Sequence, residues 1–247
     1  MQDISIFLTK TGSNISFEYN ASGVRTRKTV NGVVHNYYLN GTNILLETIE
    51  RGAEVDVLEY IYDGKGEIGG LRYNGETYVY IRNLQGDVIR MVDSTGKDVV
   101  KYVYDAWGKA EKIQDGNGLD IGSDAGHIGN INPIRYRGYY YDVETELYYL
   151  QSRYYDPETC RFINSDEPDY SIVYSTNCVN YFIYCDNNPV NNKDKNGDIF
   201  SFLLKKLAKV LLGVVLSLIS QFLSDAVYSA LKRRWLPSTV GSYISAA

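Results

Sequence analysis

YVYIRNLQGDVIRMVDSTG, residues 78–96, decides the fold. Side chains alternate across a strand, so Tyr78 and Tyr80 share one face and Val79 and Ile81 the other. Asn83-Leu84-Gln85-Gly86 then supplies turn chemistry: the Asn side chain caps the turn and Gly accepts positive φ. Val88–Val92 is a second alternating strand, closed by Asp93-Ser94-Thr95-Gly96. The unit is a β-hairpin.

Working outward, the unit repeats. FEYNASGVRTRKTVNG begins at Phe17, YYLNGTNILLE at Tyr37, YIYDGKGEI at Tyr60 and YVYDAWGKAEKI at Tyr102. The aromatics Tyr19, Tyr38, Tyr62, Tyr80 and Tyr104 recur at intervals of 18 to 24 residues, and most Tyr-x-Tyr pairs are expected on one face. Asn31-Gly32 and Asn74-Gly75 are signals for two-residue type I′ turns. A single hairpin is marginal in water, so consecutive hairpins must pair into one long antiparallel sheet.

Composition agrees. There are 24 tyrosines against 7 phenylalanines and 2 tryptophans, with 22 glycines and 5 prolines. Tyrosine combines an apolar ring with a hydroxyl, which suits strands facing a wet interior or a polar partner. A net charge of −5 and two short basic clusters, Arg25–Lys28 and Lys232–Arg234, speak against a nucleic-acid partner. Cys160, Cys178 and Cys185 are odd in number and lack metal-site spacing, which predicts small buried hydrophobes. With His35 and His127 as the two histidines, no metal or cofactor is expected. The opening MQDISIFLTKTGSNISF carries no signal-peptide pattern and reads as mid-repeat. It predicts a piece of a longer polypeptide with any export signal upstream.

DGNGLDIGSDAGHIGN, residues 115–130, predicts an exposed loop and lacks the spacing of a calcium loop. From Ile199 to Trp235 the pattern predicts one helix. Ser201, Lys205, Lys209, Gly213, Ser217, Gln221 and Asp225 form a narrow polar stripe on it. Its uncharged run, Val210 to Ser224, has 15 residues, short of the roughly 20 that span a bilayer.

NPIRYRGYYYDVETELYYLQSRYYDPETCRFINSDEPDY, residues 132–170, and NYFIYCDNNPVNNKDKNGD, residues 180–198, resemble the RHS repeat-associated core of the YD-repeat family. The upstream Tyr-Asp-x-x-Gly units resemble YD repeats, and the resemblance covers roughly residues 15–198. It implies a mainly β fold: a curved antiparallel YD-repeat sheet forming part of a cocoon shell, followed by a C-terminal α-helix. The expected division is 1–100 for repeats, 101–197 for the core that closes one end, and 198–247 for a variable segment or payload. Implied partners are the rest of a parent polypeptide, its payload, and a target-cell surface or membrane. The implied location is secreted or cell-surface.

In many members of that family the core is an aspartyl autoprotease. The positions matching its carboxylate pair are Asp166 and Asp194, and Arg153 and Arg161 match family arginines suited to pairing a carboxylate. Two close carboxylates divide into acid and base, because both cannot ionise easily. Here both aspartates lack the following proline, their separation of 28 residues exceeds the usual spacing, and Asp198 replaces the hydrophobic residue before the cut. Glu146 and Cys160 replace family glycines and are expected to strain two turns. These departures predict a core that does not cut itself, with Asp166 and Asp194 kept as turn caps. Asp142 and Asp156 are likewise expected to form turns. The rival readings are an autoprotease that releases the C-terminal segment, and a surface adhesion or carbohydrate-binding module. For the helix they are internal cargo against the tyrosine face, a membrane-active element flanked by lysines and arginines, and a linker to a further toxin.

Overall fold

The computed structural model describes residues 2–4, 13–165, 180–194, 197 and 210–224. Its repeats form one eleven-stranded antiparallel sheet in strict chain order. The strands are β1 (Gln2–Ile4), β2 (Ile15–Tyr19), β3 (Arg25–Val30), β4 (Val33–Asn40), β5 (Asn43–Arg51) and β6 (Glu54–Tyr62). They continue through β7 (Ile68–Tyr73), β8 (Glu76–Arg82), β9 (Val88–Val92), β10 (Asp98–Tyr104) and β11 (Ala110–Asp115). Tyr60 lies opposite Leu71 and Leu71 opposite Tyr78, giving a cross-strand row on the buried face. Glu59 and Arg72, also opposite one another, form a 3.0 Å ion pair on the outer face.

One turn type recurs. Asp63 Oδ1 accepts from the backbone N–H groups of Lys65 and Glu67 at 2.8 and 2.9 Å. Asn20, Asn83, Asp93, Asp105 and Asp115 each repeat this pattern two and four residues on. Asn31-Gly32 and Asn74-Gly75 have positive φ at both positions, as type I′ turns require.

Successive turns fall on alternate rims of the sheet. The rim carrying Asn20, Gly41, Asp63, Asn83 and Asp105 has an extra residue in every hairpin: Thr26, Leu45, Gly69, Ile89 and Glu111. Each is a β-bulge, which bends its strand and increases the twist, so that rim curls. In the Tyr37 repeat the aromatics are adjacent: Tyr38 is 54% exposed, whereas Tyr37 is buried. Tyr37 and Leu39 hold the places that Tyr60 and Tyr62 hold in β6, so the aromatic pair of this repeat is displaced by one residue.

A second sheet, β12 (Tyr140–Asp142), β13 (Leu147–Tyr149), β14 (Tyr154–Asp156) and β15 (Arg161–Phe162), comes next in the chain. Strands this short cannot hold together alone. They are held by burial: Tyr140, Leu147, Tyr149 and Tyr154 share a core with Phe17, Tyr37, Ile49, Leu58 and Tyr60 of the large sheet. A second cluster joins Tyr136, Tyr139, Tyr148, Tyr155, Phe162 and Tyr184 to Tyr104 and Trp107 at the curled rim.

Residues 115–130 are not wholly an exposed loop. Ile121 and Ile128 enter the core, and α1 (Ile128–Ile131) starts under a His127 cap, whose Nδ1 accepts from Gly129 N–H at 3.1 Å. The apolar spacing within a Gly/Asp-rich stretch is too sparse to mark these anchors. Cys185 is buried, and the surroundings push its thiol up to about 11. Cys160 is partly buried, both are free, and Cys178 lies outside the described residues.

The chain divides into two compact units, Met1–Asp198 and Ile199–Ala247. In the second, residues 210–224 are helical, and the rest of the expected helix lies outside the described residues. Among the described residues no helix is long and apolar enough to cross a membrane.

Candidate functional site

The site is the seat of the small sheet on the large one. Arg25 and Lys28 are three apart in β3, a spacing that strict alternation would split between faces. The bulge at Thr26 turns both inward, where they are 1% and 2% exposed. Arg25 grips Asp142 with two bonds, at 2.6 and 3.1 Å, and Lys28 Nζ lies 3.0 Å from Asp142 and 2.9 Å from Glu144. The rings of Phe17, Tyr37, Tyr140 and Tyr149 stand 4.4 to 5.2 Å from the Arg25 guanidinium carbon, within cation–π range. Arg25 and Lys28 of the first basic cluster are thus an internal anchor, while Arg27 is exposed beside Glu18. Asp142 is correspondingly more than a turn residue: its carbonyl closes the turn to Glu146 at 2.8 Å, but its carboxylate faces the two cations. Asp156 is a turn cap as expected, accepting from Glu158 N–H at 2.9 Å.

Glu47 is a second anchor. It accepts from Tyr60 at 2.6 Å and Tyr140 at 2.9 Å, and pairs with His35 Nδ1 at 2.7 Å. Burial pushes the Asp142 carboxyl up, but Arg25 and Lys28 more than offset this and hold it below the usual range. For Glu47, burial is likewise outweighed by the His35 hydrogen bond and charge, by Lys28 and by Tyr60. Both anchors escaped the sequence reading. The available signal was a Glu on the same face as Ile49 and a His on the same face as Tyr37, each a polar residue in an apolar row.

The third feature joins Ser152 and Arg153 to Asp194 and Gly197. Asp194 Oδ1 accepts from Gly197 N–H at 2.9 Å, the turn cap expected of it. Its other oxygen lies 3.5 Å from Arg153, whose guanidinium stacks on Phe162 at 3.6 Å. Ser152 Oγ, at 2.7 Å, and Arg153 Nε both donate to the Gly197 carbonyl, and Tyr139 donates to the Asp194 carbonyl. The structure therefore brings Arg153 and Asp194 together, while Asp166 lies outside the described residues. Arg161 is exposed on β15 opposite Asp156. Glu146 and Cys160 have φ of 59° and 60°, the strained turns expected where they replace glycines.

The architecture, an eleven-stranded hairpin ribbon carrying a small tyrosine-rich sheet on its buried face, recurs in solved structures. Two solved TcdB2–TccC3 structures share it. The complex with TccC3-Cdc42 has a TM-score of 0.59 at 22% identity, and covers 80% of this chain and 10% of its own. TcdB2–TccC3 itself gives 0.59 at 21% identity over 79% of this chain. In sequence, the chain is 39% identical over 196 residues to the tRNA nuclease WapA of Bacillus subtilis strain 168, which is 77% of this chain. The tRNA3(Ser)-specific nuclease WapA of Bacillus spizizenii is also 39% identical over 196 residues. The chain spans 8% of the length of each of these relatives. The salivary gland surface protein 1 of Aedes aegypti is 28% identical over 227 residues. No protein-family model matches the chain.

Proposed function

We propose that this chain is a shell segment and terminal plug of a larger Rhs-type YD-repeat polypeptide, with a variable payload beginning after residue 197. The observation that carries the reading is the four-stranded sheet locked on the buried tyrosine face by Arg25–Asp142 and by Glu47–Tyr140. A polar, tyrosine-lined wall held by buried ion pairs suits a container. It offers no nucleophile–base pair along the anchors. The partners are the remaining repeats and the payload, and the location is secreted or cell-surface. The residues after 197, including the helix at 210–224, then belong to enclosed cargo.

Protease digestion of the full parent polypeptide tests this. The stretch downstream of residue 198 should survive in the intact protein and be digested when expressed alone. Equal digestion of the two would overturn the reading.

A second reading, self-cleavage near Gly197, rests on the Arg153–Asp194 contact and on the two donors at the Gly197 carbonyl. Donors on a carbonyl oxygen stabilise charge developing there. If Asp166 and Asp194 act as the carboxylate pair, the purified chain should split, and Asp194→Asn should stay whole. Persistence of an intact 28.0 kDa species at neutral and mildly acidic pH excludes this reading and leaves the shell role.

A further inference from the structure

Asparagine followed by glycine is a self-reactive pair, because no Cβ shields the glycine nitrogen from the neighbouring carboxamide. The chain holds five such pairs, at 31–32, 40–41, 74–75, 117–118 and 196–197. The fold restrains three of them, and Asn196 lies outside the described residues. Asn31 and Asn74 sit in type I′ turns with φ of 49° and 46°. A left-handed residue points its Cβ away from the next nitrogen, whereas ring closure needs both on one side of the Cα–C bond. Their carboxamides are also held at both ends. Asn31 accepts from the Asn14 N–H at 2.9 Å and donates to Ser13 at 3.2 Å. Asn74 accepts from the Val57 N–H at 2.8 Å and donates to Asp56 at 2.7 Å. At Asn117 the nucleophile is occupied, since the Gly118 N–H donates to the Asp115 carbonyl at 3.1 Å.

Asn40 is different. It is the exposed last residue of β4, and neither its carboxamide nor the Gly41 N–H makes a hydrogen bond among the described residues. Gly41 has φ of 62°, with no atom within 4 Å of the place a Cβ would take, so its nitrogen is open to approach. Beyond the bulge at Leu45, the pairs Leu39–Ile44 and Asn40–Asn43 alone hold this hairpin tip. Rotation of the Asn40–Gly41 peptide therefore disturbs the terminal pair and leaves the rest of the sheet intact.

We propose that Asn40-Gly41 is a self-modification site, where the chain converts to an aspartyl and isoaspartyl mixture with water as the co-reactant. The Gly41 nitrogen bonds to Asn40 Cγ and gives up its proton. The Cγ–Nδ2 bond breaks, Nδ2 leaves with that proton as ammonia, and a cyclic imide closes. Water then adds to either imide carbonyl. Cleavage of the new Cγ–N bond restores the main chain with aspartate. Cleavage of the original C–N bond leaves isoaspartate, whose main chain runs through Cγ. Either product replaces a neutral amide with a carboxylate. The isoaspartyl form also adds a methylene to the main chain beside Thr42, whose carbonyl accepts from Gln151 Nε2 at 3.3 Å. The change therefore falls next to a contact between the ribbon and the segment that follows β13.

Peptide mapping by mass spectrometry on the 247-residue chain, incubated at neutral pH and sampled over days, tests the assignment independently of the shell reading. Isoaspartate is read separately, by enzymatic methylation of its free α-carboxyl. In the folded chain Asn40 should convert several times faster than Asn31, Asn74 and Asn117. In urea, where the restraints of the fold are gone, the four should convert at similar rates. An acidic species should accumulate on ion exchange and be missing from Asn40→Ser. Equal rates at the four sites in the folded chain would overturn the proposal, as would a preference for Asn40 that persists unchanged in urea. So would an Asn40 that stays whole while the urea sample reacts, or the same acidic species forming equally in a folded Asn40→Ser chain.

Discussion

Asp142 faces Arg25 and Lys28 directly and Glu144 through Lys28, with the Tyr154 hydroxyl 3.4 Å from the Arg25 nitrogen that Asp142 holds. Removing its charge strands the buried Arg25 guanidinium and leaves Lys28 with Glu144 alone, so Asp142→Asn should cost about 3–5 kcal/mol in urea unfolding. Lys28→Met leaves the Arg25 pair intact and should cost clearly less. The pH dependence comes from direction. Asp142 and Glu47 both have folded pKa values below their unfolded values of about 3.9 and 4.3. Their contribution is therefore complete above those values and is lost as pH falls through the lower, folded ones. The stability gap between the parent chain and Asp142→Asn should be widest near neutrality and narrow below about pH 4. A gap that widens on acidification would contradict the ion-pair account. At a third position, Cys160→Gly should raise stability by about 1 kcal/mol, because the thiol occupies a left-handed turn that glycine adopts without strain.

The hairpins were legible because each combines Tyr-x-Tyr with an Asx-x-x-Gly turn, and both signals act within a few residues. What alternation cannot reveal is a bulge. Of the five inserted residues on the curled rim, Thr26, Leu45, Ile89 and Glu111 have no compositional mark, and Gly69 alone is a residue that bulges favour. The unseen insertion at Thr26 therefore puts Arg25 and Lys28 on one face, where strict alternation would separate them. The turn glycines differ in the same contextual way. Gly96 and Gly108 have similar φ, 85° and 93°, but a Cβ on Gly108 would meet the Tyr136 ring at 2.4 Å, whereas at Gly96 it meets open space. Gly96→Ala should cost about 1 kcal/mol from backbone strain. Gly108→Ala adds a clash with a ring buried in the second cluster and should cost several times more by thermal unfolding. Equal losses would mean that Tyr136 is not seated against this turn.

For the molecule as a whole, the antiparallel strand order and the mainly β class were readable from the repeats. The seating of the small sheet on the large one was not. Its contacts join residues 117 apart in Arg25–Asp142 and 93 apart in Glu47–Tyr140, a range over which no local periodicity operates. That non-local seat also makes the large sheet dependent on the small sheet that covers it. Phe17, Tyr37, Ile49, Leu58 and Tyr60 are all under 7% exposed, and each shares the core with residues 134–154. Burial of a side chain of this kind is worth about 1.5–3 kcal/mol, so uncovering five of them removes a large part of a typical domain's stability. Truncation after residue 132 would also leave Arg25, Lys28 and Glu47 without Asp142, Glu144 and Tyr140. Such a truncated chain should bind a hydrophobic dye, lose its cooperative urea transition and associate through its uncovered face. A soluble monomer of residues 1–132 with a sharp transition would show instead that the ribbon stands alone, and that the ion pairs only position the small sheet.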